Sequence, residues 1–322
     1  MSIIRKINSR AKSAVNTGFG TSANSYGGRF LNKDGQANVK KTGLGFLEKY
    51  SWFHSMLAVS GTHFFLIILL FFVSINLLFA IVYYLLGTEY LSGMNAETEL
   101  EKFGEAFFFS AQTFTTVGYG RISPTGFLTS AISSFQALIG LLSFAVATGL
   151  MYGRFSQPRA YLKYSHNALI APYKNGKALM IRVAPYKNTS LTDAECRLTL
   201  GISEDENGAP VNKFYQLELE LDKINILTLS WTLVHPINEN SPLYQFTKED
   251  FEKIKGELMV FIKAFDDKFS NTVVSRTSYI FPEIVYGAKF MPMFQRGSGN
   301  ETTVLNLEKL NAFDKVNFPE GA

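Results

Sequence analysis

Two long stretches without a charged side chain constrain the fold of this chain most strongly. Neither residues 50–88 nor residues 122–153 contain Asp, Glu, Lys or Arg. A helix that crosses a bilayer needs about 20 mainly apolar residues, so each stretch predicts a transmembrane helix, at 63–86 and 127–153. Buried helices of a soluble protein are the alternative, but two charge-free runs of this length argue against it. The first run starts far from the N-terminus, so a cleavable signal peptide is not expected.

The charges outside these runs predict the orientation of the chain. Residues 1–49 carry nine basic and two acidic side chains, a net charge of +7, whereas the whole chain carries +4. Residues 89–120 hold five Glu and one Lys. Because positive charge stays on the cytoplasmic side, we expect a multi-pass protein of the cell membrane with both termini cytoplasmic. A nucleic-acid-binding tail is the alternative for the basic N-terminus, but its Gly, Ser and Asn content favours a flexible arm at 1–45 and no nucleic-acid partner.

A third apolar segment lies between the two runs and precedes a glycine-containing loop. Residues 104–115 are too few to cross the bilayer, which favours a re-entrant half-helix. The sequence Thr-Thr-Val-Gly-Tyr-Gly follows at 115–120. It resembles the known filter loop of potassium channels, in which backbone carbonyl groups replace the water around the ion. The match is specific because the loop stands between a half-helix and a second predicted span.

The residue types at 116–120 suit this chemistry. Carbonyl groups can point inward in succession only if the backbone alternates between ordinary and left-handed conformations, which Gly118 and Gly120 permit. The Thr116 hydroxyl can add oxygens at the inner end, while Val117 and Tyr119 are expected to point away and pack against the half-helix. Residues 116–119 would then coordinate K⁺ as the permeant ligand, with no other cofactor. Four copies must surround one axis, which predicts a homotetramer.

The regions on either side of the predicted pore have different patterns. Aromatic and apolar residues at helical spacing predict an interfacial helix at 46–57, and an extension of the first transmembrane helix is the alternative. After Pro158, short alternating runs separated by turn residues predict an all-β, immunoglobulin-like sandwich at 158–300, followed by a C-terminal tail at 301–322. A short helix is expected at 248–255. The predicted strands are 178–183, 196–200, 214–221, 227–233, 257–262 and 272–279.

These features together resemble the inward-rectifier potassium channels, most closely their bacterial KirBac branch. The chain has two predicted spans without voltage-sensing helices, and residues 229–243 of the β-domain resemble a strand-and-turn signature of that family. The predicted interfacial helix resembles its slide helix. The resemblance implies a membrane protein with an all-α two-transmembrane pore domain at 58–157, a re-entrant pore helix and a cytoplasmic β-sandwich domain. It also implies passive potassium transport and no enzymatic activity.

The resemblance further implies roles for residues along the inner helix. Phe144 stands at the cavity position where strong rectifiers have an acid, so strong rectification from the cavity is not expected. Tyr152 matches the bulky position where four helices converge and is the candidate gate, with an interfacial anchor as the alternative. Gly140 and Gly149 are candidate bending points, or sites of close packing.

Charged positions near the membrane and in the β-domain form another implied set. Glu206 and Asp267 fall near acids that line the cytoplasmic pore of the family, and surface acids are the alternative. Arg154 and Arg159 stand where the family binds phosphoinositides or other anionic lipids.

Gln112 differs from many relatives, which have a Glu here that pairs with a basic residue behind the filter. A neutral amide cannot form that ion pair. We therefore expect hydrogen bonds to brace the filter and Arg121 to be solvated.

Three other functions fit parts of the sequence. The β-domain could sense a small ligand, although neither GxGxxG nor a phosphate loop is present. A membrane-anchored enzyme is disfavoured because the four histidines form no metal-ligand spacing or catalytic set, and His235 fits a turn residue with satisfied hydrogen bonds. A scaffold whose β-domain binds a partner protein is the third.

Overall fold

The structure is a computed structural model that describes residue 13 and residues 29–43, 45, 51–206, 209–296 and 302–318. The side chains at 204–206, 209–210 and 296 lie outside this description. The chain divides into two compact units. One is the helical unit, residues 42–157, and the other is the β-unit, residues 158–322 with the segment before residue 42.

Four helices build the described part of the helical unit. They are α1 (Trp52–Ala58), α2 (Gly61–Leu86), α3 (Glu99–Phe114) and α4 (Phe127–Phe155). With 26 and 29 residues, α2 and α4 extend about 39 and 44 Å, more than the about 30 Å of a bilayer core. They contain the two predicted spans. Helix α2 begins two residues earlier than predicted, where the Ser60 side chain accepts a hydrogen bond from the His63 backbone, and α4 ends two residues later.

Helix α1 is separate from α2. Val59 and Ser60, between the two helices, have extended backbone with ψ of 155° and 157°. The alternative of a simple extension of the first transmembrane helix is therefore wrong for residues 52–60. The predicted helix 46–57 begins within residues 46–50, which lie outside the described residues, and its described part ends one residue later than expected.

Helix α3 is longer than the predicted half-helix at 104–115. It begins at Glu99 because Thr98 and Glu101 form a capping box, in which each side chain accepts a hydrogen bond from the other residue's backbone N–H, at 3.3 and 3.0 Å. The apolar pattern alone missed this polar first turn. Strands β1 (Leu91–Ser92) and β2 (Ser123–Pro124) pair at the base of the segment that holds α3 and the loop after it.

The β-unit consists of two five-stranded sheets that share one hydrophobic core. The strands are β3 (Leu162–Tyr164), β4 (Ala168–Tyr173), β5 (Gly176–Pro185), β6 (Leu191–Glu206), β7 (Ala209–Leu217), β8 (Lys223–Ile226), β9 (Trp231–Ile237), β10 (Gly256–Asp266), β11 (Asn271–Ile280) and β12 (Ile284–Tyr286). The first sheet has the order β11-β10-β6-β7 with β8 also on β6, and the second has the order β12-β4-β5-β3 with β9 also on β5. This arrangement confirms the predicted all-β domain.

Two predicted strands are displaced along the sequence. The strand expected at 227–233 is β9 (Trp231–Ile237), which includes Pro236. Proline lacks a backbone donor and counts against a strand, yet β9 pairs with β5 on one side only, so Pro236 is tolerated there. The strand expected at 214–221 ends at Leu217. Helix α5 (Lys248–Lys253) is two residues shorter than predicted because Ile254 is already extended before β10.

The predicted C-terminal tail at 301–322 belongs to the β-unit where the structure describes it. Strand β15 (Thr303–Leu305) pairs with β14 (Phe294–Arg296), and β16 (Phe313–Lys315) pairs with β13 (Ala288–Phe290). Leu310, between these strands, is buried. The strands are too short to give an alternating pattern, so the sequence did not reveal them.

The described part of the predicted flexible arm also packs on the β-unit. The buried carboxylate of Glu257 accepts hydrogen bonds from the backbone N–H groups of Phe30 and Leu31, at 2.5 and 3.0 Å. Arg29 donates to Glu283 at 2.8 Å. A buried carboxylate needs such donors, so residues 29–31 complete the β-unit and are not a free arm.

Candidate functional site

The loop that follows α3 has an alternating backbone. Thr116, Gly118 and Gly120 have positive φ values of 60°, 51° and 83°. Left-handed residues at alternate positions can turn successive carbonyl groups to one side of the chain. The two glycines were expected to adopt this conformation. Thr116 was not, because a β-branched residue rarely has positive φ.

The end of α3 holds this loop through one carbonyl group. The Gln112 backbone oxygen accepts hydrogen bonds from the N–H groups of Val117 and Gly118, at 3.0 and 3.3 Å. The Thr116 N–H donates to the Thr113 oxygen at 3.1 Å. Hydrogen bonds therefore brace the loop, as expected, and these three use backbone atoms at positions 112 and 113.

The electrostatics of the loop come from the backbone. Residues 106–120 contain no charged side chain. The loop stands at the C-terminal end of α3, where the helix dipole places about half a negative charge. The site therefore attracts a cation without offering a carboxylate that would bind it tightly.

Arg121 is not simply solvated, which corrects the prediction. Its guanidinium lies 2.9 Å from the Glu105 carboxylate and 3.3 Å from the Gly93 carbonyl oxygen, and half of its side chain is exposed. Glu105 also accepts from the Asn95 N–H at 3.0 Å. An acid–base pair thus supports the outer end of the loop, although the acid is seven residues before Gln112. Glu105 and Arg121 are 16 residues apart, and no sequence pattern indicates that they pair.

Val117 and Tyr119 are more exposed than the predicted packing against α3 of their own chain implies. They are 51% and 79% exposed. Phe144 and Tyr152 on α4 are similarly exposed, at 73% and 74%. Among the described residues of the helical unit, at least half of each of these four side chains is left uncovered.

A mainly apolar cavity of about 720 Å³ lies beside the inner end of the loop. Its wall includes Phe114, Thr116, Phe144 and Leu150. Thr116 and Phe144 thus contribute to one cavity, and the described residues of its wall include no acid.

The two glycines of α4 have different surroundings. A Cβ atom on Gly140 would lie 1.9 Å from the backbone oxygen of Phe114, whereas one on Gly149 would meet no atom within 4 Å. Helix α4 is continuous through both positions. The structure therefore supports the packing alternative for Gly140.

The two candidate lipid-binding arginines also differ. Arg154 donates hydrogen bonds to the carbonyl oxygens of Met56 and Val59, the first at 3.2 Å, and lies over the ring of Phe64. It caps the C-terminal end of α1. Arg159 belongs to the β-unit and is exposed.

The candidate acids of the cytoplasmic pore lie on the first sheet of the β-unit. Asp267 follows β10 and accepts hydrogen bonds from the hydroxyl groups of Ser190 and Thr192, at 2.7 and 2.9 Å. Glu206 ends β6, and its side chain lies outside the described residues.

His235 has the satisfied hydrogen bonds that were predicted, but it lies on strand β9 rather than in a turn. The ring lies on β9 and is buried, with Nδ1 2.6 Å from the Glu218 carbonyl oxygen and Nε2 2.8 Å from the Ser241 hydroxyl. Both ring nitrogens are used, which leaves none to bind a metal. Across the described ranges, His, Cys, Asp and Glu form no cluster that could hold a metal ion.

We expect His235 to make the β-unit less stable in acid. Burial lowers the pKa of its imidazole from 6.5. The unfolded chain therefore binds this proton at higher pH than the folded chain, so stability is retained above about pH 6.5 and is lost as the pH falls below it. Thermal unfolding of the purified protein between about pH 7.5 and pH 5 should show this loss. The variant His235→Gln should show a smaller dependence on pH, and the exposed control His166→Gln should behave like the wild type. Equal pH dependence in all three proteins would contradict the assignment.

Most of the chain is similar in sequence to known proteins. Residues 162–322 match the family model described as inward rectifier potassium channel C-terminal domain, and residues 70–157 match the one described as ion channel. The chain is 33% identical over 271 residues to inward rectifier potassium channel Kirbac3.1 of Paramagnetospirillum magnetotacticum, covering 83% of this chain and 89% of that protein. It is 26% identical to ATP-sensitive inward rectifier potassium channel 12 of Gallus gallus, over 82% of this chain and 67% of that protein. The chain belongs to the inward rectifier potassium channel family.

Proposed function

We propose that this chain forms a homotetrameric membrane channel that conducts K⁺ passively and selectively. The alternating left-handed backbone at Thr116, Gly118 and Gly120, directly after α3, carries the proposal. A K⁺ ion that leaves water needs oxygen atoms in place of its hydration shell, and rings of carbonyl groups can supply them. The relatives are potassium channels by name, and theirs is a family of channels.

The number of oxygen atoms requires several copies. One chain contributes the carbonyl groups of residues 116–119 and the Thr116 hydroxyl, so it offers one oxygen to each ring around the ion. Four chains complete each ring. The exposure of Val117 and Tyr119 in the isolated chain supports this assembly, because a neighbouring copy would cover their apolar surface.

The C-terminal half of α4 is proposed to contain the gate that opens and closes the ion path. Tyr152 is exposed near the C-terminal end of α4, where a bulky ring from each of four chains could close the path. Gly149 lies one turn before it and has free space around it, so it suits a bending point. Phe144 cannot hold a cationic blocker as an acid would, so rectification should be weak and depend on Asp267 and Glu206.

Anionic lipids are proposed to modulate the channel from the cytoplasmic side, where the positive-inside rule places both termini. Arg159 is exposed and available to a lipid phosphate. Arg154 could bind one only by giving up the carbonyl groups at the end of α1. A lipid would thereby release α1 from the inner helix.

Rubidium uptake tests the function. The purified protein is reconstituted in liposomes of neutral lipid with and without anionic lipid, and uptake of radioactive rubidium is measured with and without barium. We expect barium-sensitive uptake above that of protein-free liposomes. Absence of uptake in every lipid mixture, from protein that elutes as a tetramer, would contradict potassium conduction. Uptake with no effect of anionic lipid would contradict only the lipid proposal.

A further inference from the structure

A cluster of four polar side chains lies buried where α2, α3 and α4 meet, behind the loop. Asn76 and Tyr83 come from α2, Ser110 from α3 and Gln136 from α4. Each of the four residues is 0% exposed. Burying polar groups is costly unless they are hydrogen-bonded to one another. Their complete burial where three helices meet therefore points to a role beyond filling space.

The four side chains form one continuous hydrogen-bonded chain, here called the polar cluster. The Tyr83 hydroxyl donates to Gln136 Oε1 at 2.7 Å. Gln136 Nε2 donates to the hydroxyl and to the backbone oxygen of Ser110, at 2.7 and 3.0 Å. The Ser110 hydroxyl donates to Asn76 Oδ1 at 2.9 Å, and Asn76 Nδ2 donates to the Phe72 backbone oxygen at 2.8 Å. Ser110 on α3 is thus connected to both membrane-spanning helices.

The position of Ser110 links the polar cluster to the loop. It lies two residues before Gln112, whose backbone oxygen holds the N–H groups of Val117 and Gly118. It lies one turn before Phe114, whose backbone contacts Gly140 of α4. The final turns of α3 are consequently fixed to α4 by hydrogen bonds at Ser110 and, one turn later, by close packing at Phe114. A shift of α3 at Ser110 would move the atoms that set the loop backbone.

We propose that the four side chains of the polar cluster are positioning residues that set K⁺ over Na⁺ selectivity by holding α3 and, through it, the carbonyl groups of the loop. The proposal rests on the proposed function. Gln112 offers no charge for an ion pair. The neutral polar cluster holds α3 instead of such a pair. Selectivity depends on the spacing and freedom of the coordinating carbonyl groups. Loosening α3 therefore changes the ratio of ions that pass more than it changes whether ions pass.

Two variants remove one hydroxyl each and keep the remaining side chain. Tyr83→Phe removes the donor to Gln136, and Ser110→Ala removes the hydroxyl between Gln136 and Asn76. The controls are Tyr84→Phe, whose hydroxyl donates to Glu99 on an exposed surface, and Ser133→Ala, a buried serine of α4 that donates to the Ser130 backbone oxygen.

The measurement is the permeability ratio of Na⁺ to K⁺, taken from reversal potentials of the reconstituted full-length channel, with the melting temperature of the tetramer recorded in parallel. We expect Tyr83→Phe and Ser110→Ala to raise this ratio about three- to tenfold, as expected for one lost buried hydrogen bond. Tyr84→Phe and Ser133→Ala should keep the wild-type ratio. Because the hydroxyl groups belong to one chain of bonds, the double variant should raise the ratio by less than the product of the single effects.

Other outcomes would overturn the proposal. A wild-type permeability ratio in Tyr83→Phe and Ser110→Ala, with or without a lower melting temperature, would mean that the polar cluster only joins helices. If Ser110→Ala does not form tetramers, Tyr83→Phe decides, since it alters only the end of the hydrogen-bonded chain. A wild-type protein without K⁺-selective current would instead refute the proposed function, and that result is read before any variant is compared.

Discussion

Replacing Gly118 with Asp should abolish barium-sensitive rubidium uptake while the proposed tetramer persists. Gly118 has a φ of 51°, a conformation that costs an L-residue about 1–2 kcal/mol. A Cβ atom at this position meets no atom of its own chain within 4 Å, so the substitution causes no clash within the chain. Its effect comes from the altered backbone and, in the proposed tetramer, from four carboxylates placed among the carbonyl groups. A fixed negative charge would hold a cation too tightly for conduction.

The matched control is Gly43→Asp. Gly43 also has a positive φ, of 87°, and free space for a Cβ atom, but it lies outside the loop. Both variants therefore pay a similar local backbone cost. We expect Gly43→Asp to retain uptake, and size-exclusion chromatography should give a tetramer for both. Wild-type uptake by the Gly118→Asp protein would show that ions do not pass along this loop.

The sequence predicted the loop and the spans because each depends on local residue types. Gly118 and Gly120 indicate where the backbone must be left-handed, and a long run without charged residues predicts a helix that spans a membrane. Thr116 could not be predicted in the same way. Its positive φ is imposed by the hydrogen bonds that tie the loop to Gln112 and Thr113, and those follow from where α3 ends.

Contacts between distant residues explain most of what the sequence did not reveal. The segment at Phe30 and Leu31 has no periodic pattern, and its place depends on contacts with distant residues, among them the buried carboxylate of Glu257. The pair of Glu105 and Arg121 likewise exists only because the chain folds back over α3. The N-terminal ends of α2 and α3 differ from the predicted ones by a few residues, because polar caps rather than apolar residues define where these helices begin.

The polar cluster and Gly140 show that polar and small residues both hold the helices of the helical unit together. Without a hydrophobic driving force between helices in lipid, close approach and hydrogen bonds must hold them together. Sequence patterns identify the apolar surface of such helices but not the few positions where they touch. Gln136 and Gly140 lie one turn apart on α4 and mark that contact with α3.

Replacing Gly140 with Ala should disrupt the helical unit more than the same change at Gly149 or Gly153. The added Cβ atom would lie 1.9 Å from the Phe114 backbone oxygen, 2.8 Å from its carbonyl carbon and 3.0 Å from its Cα atom. These are backbone atoms at the end of α3, so no side-chain rotation relieves the clash. Overpacking of this kind costs about 1–3 kcal/mol per chain. We expect a lower melting temperature of the tetramer and loss of rubidium uptake, because the loop begins directly after Phe114.

Gly149→Ala separates close packing from bending, the two roles that a glycine can have in this helix. Its Cβ atom would meet nothing within 4 Å, and alanine in a helix is favoured over glycine by about 0.5–1 kcal/mol, so the tetramer should be as stable as the wild type or more so. If bending at Gly149 opens the gate, uptake falls although stability does not. If Gly140→Ala instead keeps wild-type stability and uptake, α4 does not contact α3 as closely as proposed. Measuring both quantities on both variants therefore assigns each glycine its role, since a packing glycine changes stability and a bending glycine changes conduction alone.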